Sequence, residues 1–134
     1  MGSPNLWAVL VSGVLYWVIG AAWYSPVLFA KPWTQALGRS ERELKKTNMP
    51  ATFLVTLVAE VLAAYVLAHF VAYVGANTVS TGLTTGFWAW LGFVATTMLV
   101  NHLYSGKSRV LLLIDGGYHL VGLLVMGAVL AAWR

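Results

Sequence analysis

VLLLIDGGYHLVGLLVMGAVLAAW, residues 110–133, is an apolar run interrupted by one acid and one histidine. An α-helix rises about 1.5 Å per residue, so roughly 20 apolar residues cross the hydrocarbon core of a bilayer. The run is long enough to do so and predicts a transmembrane helix. Asp115 and His119 are four residues apart and share one face of that helix, where the carboxylate could bond the imidazole.

Three further apolar runs have similar lengths. With the first, they predict spans at about residues 6–29, 51–73, 83–104 and 110–133. A bilayer admits only helices and closed barrels, and the alternation of polar and apolar residues that a barrel needs is absent. The predicted fold is therefore an all-α membrane protein, a single membrane domain over residues 1–134 with four transmembrane helices.

The composition agrees with this class. Hydrophobic residues make up 60% of the chain and charged residues 9%, whereas a soluble domain carries about a quarter charged residues. The absence of cysteine excludes disulfides and thiolate metal ligands. The net charge of +4 lies mostly beside the apolar runs, where it indicates topology and contact with anionic lipid. No nucleic-acid partner is expected.

The basic residues also predict the orientation. The connection at residues 30–50 and the turn at residues 105–109 are basic, while the other side of the predicted bundle is nearly uncharged. By the positive-inside rule both connections face the cytoplasm and both chain termini face outward. The basic residues of the connections are Lys31, Arg39, Arg42, Lys45, Lys46, Lys107 and Arg109.

The long connection is predicted to contain local structure. KPWTQALG, residues 31–38, places Pro32 where a first helical turn accepts it and Gly38 where a helix would end. These residues predict a short amphipathic helix at the cytoplasmic membrane surface. Ser40 and Glu43 have the spacing of a capping box and predict a second short helix, although a solvated linker fits this part equally well.

Ionisable residues within apolar helices are costly and are functional candidates. From their depth, polar groups of all four spans meet in the cytoplasmic half. This predicted site consists of Asp115, His119, Glu60, His102, Asn101, Tyr24 and Ser25. His69 belongs to the outer half and is left outside it. Other polar and aromatic positions, including Thr96, Thr97 and Trp90, are interpreted as packing or as bonded to their own helix.

Three interpretations of this group remain open. A buried carboxylate linked to histidines can exchange a proton for a substrate, which is typical of a small proton-linked transporter or channel. The same residues could form a structural hydrogen-bond network that fixes helix register. They could also hold a divalent metal, with His119, Asp115, Glu60 and His102 as candidate ligands. No HExxH or comparable catalytic spacing is present, so a non-enzymatic function without a cofactor is favoured.

The preferred interpretation is the proton-linked transporter or channel. The lipid bilayer is its expected surroundings. Because four short helices enclose little room for a path, a homo-oligomer is expected. Gly82 and Gly86 form a GxxxG pair, which indicates close helix packing within one chain or between chains. Anionic lipid is a candidate partner of the basic connection.

Three motifs carry a resemblance to a known family: GAAWYSPVLFAKPW at residues 20–33, GFWAWLGFVATTMLVNHLY at residues 86–104 and LIDGGYHLVGLLVMGAVLAAW at residues 113–133. Together they resemble the bacterial and fungal membrane proteins grouped as domain of unknown function 1761. The resemblance implies a small multi-spanning membrane protein and supplies no activity, substrate or cofactor. Its characteristic positions here are Trp23, Tyr24, Ser25, Pro26, Lys31, Pro32, Trp33, Asn101, Asp115, Gly117, Tyr118 and His119. Glu60 lies outside the motifs.

Overall fold

The computed structural model describes residues 4–37 and 49–133, and these are helical except at turns and ends. The helices are α1 (Leu6–Trp23), α2 (Ala30–Leu37), α3 (Met49–Tyr73), α4 (Val79–Ser105) and α5 (Arg109–Ala132). Four of them, all but α2, are long and apolar enough to cross a membrane. The predicted all-helical architecture with four long apolar helices is confirmed.

α2 occupies the place of the predicted short helix, with Pro32 in its first turn. Its amphipathic character and its position at a membrane surface stay predictions. The end predicted at Gly38, the second short helix from Ser40 and the basic residues 39–46 lie outside the described residues.

α1 ends earlier than the apolar run predicts. It stops at Trp23, and residues 24–29 form turns, because Pro26 has no N–H with which to continue the helix. The carbonyl of Ala22 instead accepts hydrogen bonds from Ser25, through its N–H at 3.2 Å and its Oγ at 2.7 Å. This turn directs the chain into α2 and places Tyr24 outside the regular helix.

α4 begins earlier than predicted and is not uniform. Thr78 and Thr81 form a reciprocal capping box that starts the helix at Val79. The segment Trp90–Ala95 is a π-helix, with α-helix on both sides. Just beyond it, the hydroxyls of Thr96 and Thr97 donate to the carbonyls four residues earlier, at 2.8 and 2.7 Å, as expected for residues that bond to their own helix.

α5 is the centre of the bundle, since it packs against every other helix and is the most buried of them. It runs antiparallel to α1: the Asn5 side chain donates to the Trp133 carbonyl at 3.4 Å, while Tyr24 bonds Asp115 at the other end. We call the end that bears residues 24–29 and the turn at Gly106 the connection end. The opposite end, with the turn at Gly75, is the termini end.

Glycines bring α4 against α5 near the termini end. A side chain on Gly82 would overlap the carbonyl oxygen of Gly127, and one on Gly86 would overlap that of Leu123. The GxxxG pair of α4 is thus a contact within one chain. Close backbone approach of this kind depends on small residues.

We expect Gly82→Ala to destabilise the protein by roughly 1–3 kcal/mol, because the added methyl forces the two backbones apart. Gly92→Ala on the same helix is the matched control, since a Cβ there meets nothing within 4 Å. Thermal unfolding in detergent compares them. Equal melting temperatures for the two variants would contradict the contact.

Candidate functional site

Three tyrosine rings form a column along the α1–α5 contact. Tyr16 comes from α1, Tyr24 from the turn that follows it and Tyr118 from α5. The ring centroids of Tyr16 and Tyr118 are 5.0 Å apart, and those of Tyr24 and Tyr118 are 5.6 Å apart. Tyr118 is therefore the middle ring, and the column extends from mid-helix toward the connection end.

The column fits because each helix offers a glycine to a ring of the other. Tyr16 lies against Gly122, where a side chain would overlap the ring, and Tyr118 lies against Gly20, where a Cβ would come within 2.8 Å of its hydroxyl. In both helices the tyrosine precedes its glycine by four residues, so ring and glycine share a face. The antiparallel pairing of α1 and α5 makes the two contacts reciprocal.

Each hydroxyl of the column bonds one ionisable side chain. Tyr24 donates to Oδ1 of Asp115, and Tyr118 donates to Oε1 of Glu60 at 2.5 Å. The hydroxyl of Tyr16 shares a hydrogen bond with Nδ1 of His119, whose tautomer sets the donor. These six residues, which we call the tyrosine cluster, are Tyr16, Tyr24, Glu60, Asp115, Tyr118 and His119.

The tyrosine cluster lies well inside the helices. Glu60 is about 15 Å along its helix from Pro50, and Asp115 is about 9 Å along α5 from Arg109, at 1.5 Å per residue. Tyr16 and Tyr118 are buried, whereas Glu60, Asp115 and His119 are half-buried. The second carboxylate oxygen of Glu60 is buried without a hydrogen-bond partner among the described residues.

Two indoles hold the segment of α5 that presents Asp115. Trp23 donates from Nε1 to the carbonyl of Ile114, and Trp90 donates to that of Gly116, both at 2.9 Å. The two carbonyls flank Asp115 in sequence. Trp90 opens the π segment of α4, so the irregularity in that helix coincides with the contact to this part of α5.

The structure brings together four of the seven residues proposed from sequence: Tyr24, Glu60, Asp115 and His119. The direct bond envisaged between Asp115 and His119 is not made, because each side chain turns to a tyrosine instead. Ser25 bonds the end of α1 through its hydroxyl. His69 lies apart, with Nδ1 at 2.9 Å from the Tyr65 carbonyl.

Asn101 and His102 are on the last part of α4, away from the tyrosine cluster. Asn101 is exposed and His102 half-buried, and neither side chain bonds a cluster residue within the described ranges. The reason is that α4 meets α5 most closely at Gly82 and Gly86, and the helices have fewer contacts beyond Trp90.

The predicted site omitted Tyr16 and Tyr118, of which only Tyr118 was among the positions implied by the family resemblance, and Trp90 was interpreted as a packing residue. The available signal for Tyr16 was its spacing: Tyr16 with Gly20 repeats the four-residue spacing of Tyr118 with Gly122. Trp90 carried no such signal, because its indole reaches α5 from the π segment, which the sequence did not reveal.

The metal interpretation gains no support from the geometry. Within residues 4–37 and 49–133, no three histidine, aspartate or glutamate side chains form a group that could hold a metal ion. The four candidate ligands, His119, Asp115, Glu60 and His102, are thus not gathered at one point there.

A groove of about 460 Å³ lies between α3 and α4 near the termini end. Phe70, Thr85, Trp88 and Phe93 are among its lining residues, and none of the lining residues is ionisable. The tyrosine cluster lies nearer the connection end and shares no residue with this groove.

Comparison with known proteins gives one match. A family model described as "Protein of unknown function (DUF1761)" matches residues 7–131. This range contains the whole tyrosine cluster and both indoles. No curated protein and no solved structure matches the chain.

We expect Tyr118→Phe to lower the free energy of unfolding by roughly 1–2 kcal/mol, because it removes the hydroxyl that bonds Glu60. Tyr65→Phe is the matched control, since Tyr65 is 41% exposed and its ring contacts His69. Thermal unfolding in detergent provides the measurement.

A double-mutant cycle with Glu60→Gln isolates the bond itself. The two substitutions together should cost less than the sum of their separate costs. Strict additivity would show that Tyr118 and Glu60 are energetically independent.

Proposed function

The chain belongs to the DUF1761 family, whose description assigns no function, and we propose that it is an integral membrane transporter or channel that moves protons through the tyrosine cluster. Proton movement would be linked to flux of an ion or an organic solute. In this proposal the cluster both binds the proton and couples its release to the solute.

The membrane part of the proposal is supported by the outer surfaces of the helices. α3 exposes large apolar side chains along its length, including Val58 and Leu62, each 61% exposed. Such a surface is stable in contact with lipid. By the positive-inside rule, the connection end would face the cytoplasm and both chain termini would face outward.

One observation carries the proton-linked function: both carboxylates of the tyrosine cluster are bonded by neutral tyrosines. No lysine or arginine occurs at residues 6–30, 50–106 or 110–133. A carboxylate paired with a lysine or arginine would stay charged, whereas one held by tyrosine hydroxyls can take up a proton or a cation without breaking an ion pair.

Tyr118 supplies a way for proton uptake to change the hydrogen bonding. Its hydroxyl has one proton but lies near two oxygens, Oε1 of Glu60 at 2.5 Å and the Tyr16 carbonyl at 3.1 Å. When Glu60 is charged, the hydroxyl donates to it. When Glu60 carries a proton and donates, the hydroxyl is free to donate to the carbonyl, which can only accept.

Protonation of Glu60 would therefore reverse its hydrogen bond with Tyr118 and redirect the Tyr118 hydroxyl proton from Glu60 on α3 to the Tyr16 carbonyl on α1. A change at Tyr118 would reach His119 through Tyr16, because the hydroxyl of Tyr16 bonds His119 and its ring packs on that of Tyr118. The unpartnered oxygen of Glu60 is the position at which this network can still gain a partner.

A solute path requires more surface than one chain encloses, and we place it in a homo-oligomer. α4 is the least buried of the long helices, and it exposes Asn101, a side chain that promotes association between helices in lipid. Anionic lipid at the basic connection is a further partner in this proposal.

A structural function is the second candidate, and the reciprocal tyrosine–glycine contacts favour it. The tyrosine cluster joins α1, α3 and α5, so its bonds could serve only to fix the register of these helices. In that case, loss of a carboxylate lowers stability and changes no flux.

Flux in liposomes distinguishes the two. Protein is reconstituted with a pH-sensitive dye inside, a potassium gradient with valinomycin sets the membrane potential, and candidate cations and organic solutes are added in turn. We expect proton entry with the unmodified chain and its loss in Glu60→Gln and Asp115→Asn, because neither amide has the negative charge that binds a proton or a cation. The control is His69→Ala, which changes an ionisable residue outside the tyrosine cluster and should retain flux.

Circular dichroism and thermal unfolding check that each variant is folded. Absence of flux for every solute with the unmodified chain would remove the transport proposal. Lower melting temperatures with no flux in any form would establish the structural function instead.

A further inference from the structure

Two pairs of aromatic rings lie at the connection end, and one of these rings bonds Asp115. Trp23 and Tyr24 come from the end of α1, and Phe29 and Trp33 come from the turn and from α2. The centroids of Trp23 and Phe29 are 4.8 Å apart, and those of Tyr24 and Trp33 are 5.4 Å apart with the rings at 70°. We call these four rings the aromatic layer.

The turn after α1 builds this layer. The N–H of Phe29 donates to the Trp23 carbonyl at 3.0 Å, and the N–H of Trp33 donates to the Phe29 carbonyl at 2.9 Å. The chain thereby folds back, and α2 packs against α5. The rings that bond α5 beside Asp115 therefore pack on rings from the far side of the turn.

Asp115 is held in the layer by a hydrogen bond and not by an ion pair. Its Oδ1 accepts from Tyr24, and no other described residue donates to this carboxylate. Trp23 bonds the preceding carbonyl and passes over Gly117, where a Cβ would lie 3.1 Å from the indole. Asp115 and all four rings are half-buried, so the layer has an accessible side.

This chemistry selects a particular class of ligand. Aromatic faces attract cations, most strongly when water is displaced, and a carboxylate adds a negative charge. The apolar parts of an organic cation can also displace water from the rings. A small hydrated ion gains little from ring faces, and an anion is repelled by Asp115.

We infer that the aromatic layer and Asp115 form a binding site for a cation with an apolar body, of the quaternary ammonium or phosphonium class. The role of this cation as the transported solute rests on the proposed function; its binding does not. The two carboxylates then have different tasks, since Asp115 binds the cation and Glu60 binds the proton.

Tyr24 links the cation-binding carboxylate to the proton-binding carboxylate. Its hydroxyl bonds Asp115, and its ring packs on Tyr118, which bonds Glu60. A cation that draws Asp115 away from Tyr24 frees that hydroxyl and shifts the ring against Tyr118. Occupation of the site is thereby communicated to the proton-binding carboxylate.

Calorimetric titration of the purified protein in detergent tests the site, with tetraphenylphosphonium as the probe. Tetraphenylborate has the same shape and the opposite charge and should not bind; empty micelles correct for partition of either ion. We expect Asp115→Asn and Trp33→Leu each to weaken binding of the cation roughly tenfold or more. Asp115→Glu, which keeps the charge, should restore most of the affinity.

Two control variants distinguish binding at this site from nonspecific binding of the probe. Trp88→Leu removes an indole that is 63% exposed in the groove near the termini end, and His69→Ala removes an ionisable side chain outside the tyrosine cluster. Both should bind the probe like the unmodified chain. The site is wrong if the probe does not bind, if tetraphenylborate binds equally, or if Asp115→Asn binds as tightly as the controls.

The outcome is separable from that of the proposed function. Proton flux without binding of the probe overturns the cation site alone. Binding with the expected pattern in a chain that shows no flux leaves the cation site and removes transport.

Discussion

The reciprocal contact between α1 and α5 is the interaction on which the tyrosine cluster depends. Tyr16 and Tyr118 each bring a hydroxyl into an apolar bundle, and each needs a glycine on the opposite helix to fit. A polar group buried without a hydrogen bond is costly, so the hydroxyls stay only where partners reach them. Glu60 and His119 are those partners, and the packing of two rings thereby fixes the placement of two ionisable groups.

Glycines serve the same purpose where α4 packs against α5. Gly82 and Gly86 set α4 against the half of α5 near the termini end, whereas Gly20 and Gly122 set α1 against its middle. Because apolar side chains gain little by leaving lipid for protein, helix association in a bilayer depends on close packing and hydrogen bonds. Both occur on α5, which is the most buried of the long helices.

The sequence predicted the helices well and the contacts between their side chains poorly. Length and apolarity suffice for four long helices, and Pro32 marks the short one. Pro26 is a sufficient reason for α1 to end early. The predicted span nevertheless extended past it, because the residues that follow Pro26 are apolar. Asp115 and His119 were predicted as site residues because an ionisable side chain within an apolar helix is energetically costly. This cost depends on residue type alone. Their actual partners, Tyr24 and Tyr16, depend on how α1 meets α5, and this is a property of the assembled bundle.

The neutral partners of the carboxylates give the strongest reason to look beyond a structural function. A network that only fixes register gains most from partners that satisfy every oxygen permanently. Here Glu60 keeps one buried oxygen without a partner in the described part of the chain, and Tyr118 offers one proton to two acceptors. Both features are unfavourable for a fixed scaffold and are useful where a proton binds and leaves. These features are the reason for proposing that the tyrosine cluster has two alternative states.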